Sequence, residues 1–151
     1  IERLAKEGNP VIKFPDMLKG KGGYDFSYSG LKTAVINYVH NKEQAGIEYN
    51  KADVACSFQH AAVEVLVKKA ILAAKEKGLN TITAGGGVVA NGYLRETLEK
   101  EAEKSGIKVV LPPKKMCTDN AAMIAAEAYL RYKSGDFADL TLNASARVEL
   151  G

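Results

Sequence analysis

Apolar residues recur at helical spacing through residues 51–77, the longest regular stretch of the chain. One stripe consists of Val54, Phe58, Ala61, Ala62 and Val65. A second stripe, on nearly the opposite side, consists of Cys56, Val63 and Val67. A helix with two apolar sides is typical of one that lies between two layers. We therefore predict a central helix that ends at Gly78.

Strand and helix patterns alternate in the second half of the chain. The predicted elements are a strand at 80–86, a helix at 91–106, a strand at 107–113 and a helix at 119–135. Alternation with short joints predicts an α/β layer, and its strands are expected to run parallel because each crossover helix returns the chain to the same end of the sheet. No linker or repeat interrupts the pattern, so we predict one domain.

The pattern before residue 51 is less regular. The predicted elements are a short helix at 1–8, a loop at 14–23, a strand at 24–29 and a helix from Ser29 onward. The helix at the start is stopped by Gly8 and Pro10. The strand is predicted because YDFSYS alternates aromatic and polar residues, as a half-exposed strand does.

Composition places this chain of 151 residues among ordinary globular proteins, with 46% hydrophobic and 26% charged residues. No apolar run is long enough for a membrane helix, and no secretory signal is visible, so we expect a cytoplasmic protein without a membrane partner. The net charge of +3 permits a nucleic-acid partner but does not require one. Cys56 and Cys117 lie far apart and form no CxxC, so we expect two reduced, inert thiols.

The stretch TAGGGVVAN, at residues 83–91, joins a predicted strand to a predicted helix. Open α/β sheets bind ligands at such joints, outside the carboxyl ends of the strands. Glycines let a ligand approach the backbone, and unpaired N–H groups at a helix start attract phosphate. Asn91 can cap the helix or contact a ribose or phosphate. The residues alone leave a ligand loop and a plain turn with an N-cap equally open.

A dinucleotide site is the specific alternative for this turn, because Gly85, Gly87 and Ala90 satisfy G-x-G-x-x-A. That fold needs an acidic residue at the end of the next strand to hold the ribose hydroxyls. Here the next predicted strand is IKVVLPP, which ends in two prolines and has no carboxylate. The missing carboxylate argues against hydride transfer.

Asp119 precedes a predicted helix, where an aspartate ordinarily caps the first turn. Asp is also a hard oxygen ligand for a metal, but a metal needs more than one ligand. The two histidines, His40 and His60, belong to no HxxxH or HExxH pair. The sequence also lacks a GxSxG elbow and a P-loop, so it shows no complete catalytic machinery of its own.

Five collinear segments together resemble one family. They are DFSYSGLKTAV at 25–35, ADVACSFQHAAVEVLV at 52–67, GGVVANGYLR at 86–95, PPKKMCTDNAAMIA at 112–125 and LTLNASARVEL at 140–150. The family is TsaD, the tRNA threonylcarbamoyladenosine transferase once labelled O-sialoglycoprotein endopeptidase. The resemblance covers the C-terminal half of that family. We therefore expect residues 1–151 to be a single C-terminal lobe, a fragment of a longer two-lobe protein.

The resemblance implies the actin-like ATPase fold, which is ribonuclease H-like and holds a nucleotide between two related α/β lobes. This chain would be most of the second lobe, with a mixed sheet flanked by helices. The family moves a threonylcarbamoyl group from threonylcarbamoyl-adenylate onto the adenosine next to the anticodon, in tRNAs that read codons beginning with A. Expected partners are therefore tRNA and other proteins of the threonylcarbamoyladenosine pathway.

The resemblance also assigns roles to individual residues. Gly86, Gly87 and Asn91 match the family's glycine turn and the asparagine that binds adenine nucleotide or the adenylate. Asp119 matches an aspartate that binds one divalent metal, iron or zinc, whose other ligands are two histidines of an HxxxH motif upstream of Ile1. We expect the isolated fragment to be inactive, to bind neither group tightly, and to be prone to self-association through its bared cleft.

Two features of the chain stand apart from this assignment. Lys32 matches a family motif without an assignable chemical role, and Val89 stands where a small residue is expected, which would narrow the edge of the cleft. Two other readings stay open at this point. One is a non-catalytic nucleotide-binding or scaffold module of actin-like fold, and the other is the metalloprotease of the older family label, which no HExxH supports.

Overall fold

A computed structural model describes residues 1–15, 23–25 and 27–144. Its helices are α1 Glu2–Ala5, α2 Tyr28–Gln44, α3 Lys51–Glu76, α4 Gly92–Lys104 and α5 Ala121–Ser134. Its strands are β1 Thr81–Thr83 and β2 Lys108–Val110, and short 3-10 turns span Gly87–Ala90 and Lys114–Met116. Most of the predicted loop at 14–23 and the end of the tail segment at 140–150 lie outside the described residues.

The chain divides into two compact units, Ile1–Thr118 and Asp119–Gly151. The first unit holds α1 to α4, both strands and the buried core, and the second holds α5. The prediction of a single lobe over residues 1–151 concerns the longer protein and stays a prediction.

Helix α3 confirms the predicted long helix. The Asn50 side chain accepts a hydrogen bond from the N–H of Ala52 at 2.8 Å and so caps the first turn. The helix ends before Gly78, which takes the left-handed φ of 64°. In the second stripe Cys56, Val63 and Val67 are all buried. In the first stripe Val54 is buried, whereas its other members are only partly covered: Phe58, Ala61, Ala62 and Val65.

The two strands pair in parallel, as predicted, with Thr81 opposite Lys108 and Thr83 opposite Val110. Helix α4 is the crossover between them. Its apolar side meets α3, and the resulting core consists of Val63, Val67, Ile71, Ala74, Val89, Leu94, Leu98, Ala102, Ile107 and Cys117. Ala102 is 0% exposed, so the helices pack closely enough at that point to leave room for no more than a methyl group.

The predicted strand at 24–29 is wrong. Among its described residues Tyr28 already begins α2, and Ser27 is the N-cap. Both tyrosines of this segment contact the long helix α3. Tyr28 donates to the carbonyl of Ala62 at 3.3 Å, and Tyr24 donates to Glu76 at 2.7 Å. An alternation of aromatic and polar residues is typical of a strand, but here the tyrosine side chains contact a helix.

Helix α5 begins after Asn120, whose side chain accepts from the N–H of Met123 at 3.2 Å. It ends at Gly135, which has a left-handed φ of 74°. The predicted helix at 119–135 is thereby confirmed. Across the ranges described, no helix is long and apolar enough to cross a membrane.

Candidate functional site

The glycine turn lies directly after β1, at the carboxyl end of the strand. The N–H of Ala84 still donates to the carbonyl of Val110 at 3.2 Å, and the ladder stops there. Gly86 then takes φ 93° and ψ 167°, a backbone region that is essentially restricted to glycine. A 3-10 turn, Gly87–Ala90, leads from it to α4. The turn therefore occupies the position predicted from the sequence, between a strand and a helix start.

The glycines on either side of Gly86 are not required by the backbone conformation. Gly85 and Gly87 do not have positive φ, and a Cβ built on either would meet no atom within 4 Å. Neither backbone geometry nor packing within the described residues requires glycine at these two positions. Their missing side chains leave the backbone of the turn open to an approaching group.

Asn91 caps α4, as its position in the sequence suggested. Its Oδ1 accepts from the N–H of Leu94 at 2.9 Å, and its Nδ2 donates to Oε1 of Gln59 at 2.9 Å. Asn91 is half-buried, whereas Gln59 on α3 is only 7% exposed. The cap and the buried glutamine together fix the plane and the direction of the amide.

A carboxylate from the other end of the unit also reaches the start of α4. Glu2 Oε1 accepts from the N–H of Gly92 at 3.0 Å, across 90 residues of sequence. That hydrogen bond lowers the pKa of Glu2 below its ordinary value, and the positive charges of Lys6 and Lys114 act in the same direction.

Two of the N–H groups at this helix start are therefore paired within the chain, and the attraction of phosphate to this helix start stays a prediction. Glu2 accepts from the N–H of Gly92, and Asn91 accepts from that of Leu94. An anion at this end of α4 would meet the negative charge of Glu2 as well as the positive charges of Lys6 and Lys114. A ligand that binds here is more favourably one that offers hydroxyl donors to the carboxylate and acceptors to the amide.

Arg95 ties the 3-10 turn to the end of β2. Its guanidinium donates to the carbonyl of Val89 at 3.2 Å and to that of Pro112 at 2.9 Å. It also lies 3.8 Å from the sulfur of Cys117, which is 1% exposed. Because Arg95 sits on α4, these bonds hold the turn, the helix and the end of the strand in one arrangement.

Val89 packs into the core, and its expected effect on the edge of the cleft stays a prediction. It is 6% exposed and belongs to the core, while its neighbour Val88 is 72% exposed. The side chain at 89 thus packs inward, and both valines border the cavity that Gly85 also lines.

Asp119 does not cap α5, because Asn120 is the N-cap. Its carboxylate is exposed. Asp119 opens the second unit, whereas Gly86, Gly87 and Asn91 lie together on one turn of the first. Within the described part of the chain, no group of three or more His, Cys, Asp or Glu side chains could hold a metal ion. Asp119 can thus supply one hard oxygen ligand, and the other ligands would have to come from elsewhere.

His60 and Glu64, which are four residues apart on α3, have separate partners. Its ring stacks on Tyr93 at 4.2 Å between centroids, and its Nδ1 lies 2.9 Å from the Tyr93 hydroxyl. Glu64, one turn further along α3, pairs with Lys68 at 3.6 Å. The His60–Glu64 spacing is therefore not a site. The thiols of Cys56 and Cys117 are both buried, and burial raises the pKa of Cys56, which agrees with inert thiols.

Sequence reasoning missed Gln59, Glu2 and Arg95. Gln59 carried a signal, because it is a polar residue inside an apolar helical run and is one that needs a partner if buried. Glu2 and Arg95 carried none, since charged residues on a helix are ordinarily solvated. Their contacts depend on chain segments that only the fold brings together.

Comparisons with known proteins agree on one family. The family model of the tRNA N6-adenosine threonylcarbamoyltransferase TsaD matches residues 1–126. Proteins that carry the same name are similar to the chain: it is 52% identical to one from Moorella thermoacetica over 95% of the chain and 42% of that protein. It is 48% identical to one from Clostridium botulinum (strain Kyoto / Type A2), over 100% of the chain and 45% of the relative. It is 45% identical to one from Staphylococcus aureus (strain Newman), over 99% of the chain and 44% of the relative. The chain thus spans less than half the length of these relatives.

Proposed function

Since this chain belongs to the TsaD family of tRNA N6-adenosine threonylcarbamoyltransferases, we propose that it forms the C-terminal lobe of such a transferase. The lobe would be the second of two in an actin-like ATPase fold. Three features support half of a nucleotide cleft in this chain. They are the parallel strands, the glycine turn at the carboxyl end of β1 and the capped helix α4 that follows.

The open space at Gly85 and Gly87 is the observation that carries this proposal. Nothing in the described chain explains why these positions lack a side chain, whereas a ligand lying against the backbone does. Asn91 follows at the end of the 3-10 turn, with its amide held in place. Gly86, Gly87 and Asn91 are therefore our proposed contacts to an adenine nucleotide or to threonylcarbamoyl-adenylate, with Glu2 as an acceptor for ligand hydroxyls.

The proposed reaction of the longer protein is transfer of threonylcarbamoyl to the adenosine next to the anticodon, in tRNAs that read codons beginning with A. tRNA is the substrate, other proteins of the same pathway are partners, and the location is cytoplasmic. The chain by itself would be inactive, because a cleft needs both walls to orient two substrates. Self-association of the isolated chain stays a prediction.

Asp119 is our proposed ligand to one divalent ion, iron or zinc. A carboxylate is an ordinary ligand for either metal, and its exposure leaves it accessible to an ion. When bound, such an ion would polarise an oxygen of the transferred group as a Lewis acid. The remaining ligands would be histidines of the longer protein.

Nucleotide binding by the longer protein tests the proposal. The change Gly87→Ala adds one methyl group to a position that the chain leaves open. We expect unaltered thermal unfolding and at least tenfold weaker binding of ATP in calorimetry, because the methyl group would occupy space that the ligand needs. Glu99→Ala, an exposed change on α4, is the matched control and should leave both quantities unaltered. ATP binding that Gly87→Ala leaves intact would remove the glycine turn from the site.

A further inference from the structure

Gln59 is a buried polar side chain in the middle of the apolar helix α3. It is 7% exposed, and its Oε1 accepts from Nδ2 of Asn91 at 2.9 Å. Ser57, the other buried polar residue of this helix among the described residues, has a structural contact: its Oγ accepts from the N–H of Ile12 at 3.0 Å. The contact of Gln59 is instead to a residue of the glycine turn.

The direction of both amides follows from the first turn of α4. The N–H of Leu94 is a donor, so the atom of Asn91 that faces it at 2.9 Å must be the oxygen, Oδ1. The atom that faces Gln59 is then the nitrogen, and the glutamine must turn its own oxygen toward it. No other arrangement of the two amides satisfies all three groups.

One hydrogen of the Asn91 amide is left over. An amide nitrogen carries two N–H donors, and Gln59 takes one of them. Among the described residues Gln59 is the one acceptor bonded to this nitrogen, and Asn91 is half-buried between the 3-10 turn and α4. The oxygen of the amide already accepts one hydrogen bond, from the N–H of Leu94. The side chain of Asn91 thus keeps a free N–H that can donate to a ligand.

We propose that Gln59 is a positioning residue, which holds the Asn91 amide so that its free N–H donates to an acceptor atom of the bound nucleotide. The acceptor is an oxygen or a ring nitrogen of the adenine nucleotide. This inference rests on the proposed function, because it takes the glycine turn as the nucleotide site. Gln59 does not itself contact the ligand; it acts through Asn91. Without it the amide could rotate away from the cap and lose its direction.

Two substitutions at position 59, made in the longer protein, separate positioning from folding. Gln59→Met keeps the length of the side chain and removes the acceptor. We expect ATP binding in calorimetry to weaken by about tenfold, the factor that corresponds to one lost hydrogen bond. Gln59→Glu keeps an oxygen acceptor whether the carboxyl group is charged or protonated. It should bind ATP within about threefold of the unaltered protein, even if burial of the new group lowers the melting temperature.

Asn91→Asp tests the direction of the hydrogen bond to the ligand. Aspartate caps a helix as well as asparagine does, and Gln59 can turn its nitrogen toward the new oxygen. The fold should therefore keep its melting temperature, whereas ATP binding should weaken by more than tenfold, because the ligand's acceptor would meet an acceptor. Tight ATP binding by Asn91→Asp would contradict the proposed direction.

A measurement without ligand keeps the two proposals apart. Labelling asparagine with ¹⁵N allows the side-chain amide signals of Asn91 to be compared in the unaltered protein and in Gln59→Met. The amide hydrogen bonded to Gln59 should shift and exchange faster when the acceptor is removed. Unchanged signals, or ATP binding that Gln59→Met does not weaken, overturn the positioning role. If the unaltered protein binds no ATP, the proposed function fails, while the amide signals still decide whether Gln59 orients Asn91.

Discussion

Gly86 is the glycine of the turn that the backbone itself requires. Its φ of 93° and ψ of 167° lie in a region where an L side chain is strained, although a Cβ there would meet no atom within 4 Å. We expect Gly86→Ala to lower the free energy of unfolding by about 1–3 kcal/mol. Gly85→Ala, at an open position without positive φ, should be close to neutral. Urea titrations measure the free energy of unfolding of the two variants. Equal losses of that free energy would mean that the backbone strain is not specific to position 86.

Glu2 makes the start of α4 sensitive to acid. Its pKa is lowered by the hydrogen bond from Gly92, so the folded state favours the charged form. The stabilisation is fully present above the pKa of the unfolded chain and is lost as the pH falls through the lower folded pKa. The change Glu2→Gln keeps an acceptor for the N–H and removes the charge.

The difference in the free energy of unfolding between the unaltered protein and Glu2→Gln should therefore be largest near neutral pH and vanish in acid. The side chain is 32% exposed and partly screened by solvent, so we expect a difference below about 1 kcal/mol. Urea titrations at a series of pH values measure it. A difference that grows toward acid pH would have the wrong sign for a lowered pKa.

Helix α1 is held against α3 by a close approach of backbone at Gly8. A Cβ on Gly8 would overlap the carbonyl group of Ala52 and the backbone nitrogen of Asp53. The next residue, Asn9, donates its N–H to the Asp53 carboxylate at 2.7 Å and fixes the approach. We expect Gly8→Ala to cost about 1–3 kcal/mol of unfolding free energy, since backbone cannot move aside as a side chain can. Denaturant titration of Gly8→Ala measures this loss of unfolding free energy. Gly87→Ala, where the added methyl group meets no atom within 4 Å, is the control. A loss as small as that of the control would show that α1 can shift on α3.

The elements that the sequence predicted well are those whose ends are set by neighbouring residues. Asn50, Asn91 and Asn120 each cap the helix that follows. Asn91 was predicted as a cap, whereas the cap of α5 was expected one residue earlier, at Asp119. The strand at 24–29 was wrong because an alternation of aromatic residues does not say what they pack against.

The candidate site was predictable only in part, for the same reason. Its glycine turn and Asn91 are adjacent in sequence, so the pattern located them. The contacts that orient the site, Gln59 to Asn91 and Glu2 to Gly92, join residues separated by 32 and 90 positions. Contacts at such separations follow from the packing of α1 and α3, which a single sequence does not specify.

At the scale of the whole molecule, the proposed metal site is the feature that this chain least explains alone. Asp119 offers one carboxylate, and the described residues hold no cluster of three ligands around it or elsewhere. An ion held by a single exposed carboxylate exchanges with water, so tight binding requires further ligands, which we propose come from a protein of the relatives' full length. We therefore expect the isolated chain, after dialysis, to retain no iron or zinc by elemental analysis. The longer protein should retain about one ion per chain, and Asp119→Ala should lower that content, whereas Asp25→Ala, which removes an exposed carboxylate of the first unit, should not. Full metal content in Asp119→Ala would exclude this residue as a ligand, and an ion retained by the isolated chain would mean that its own side chains complete a site.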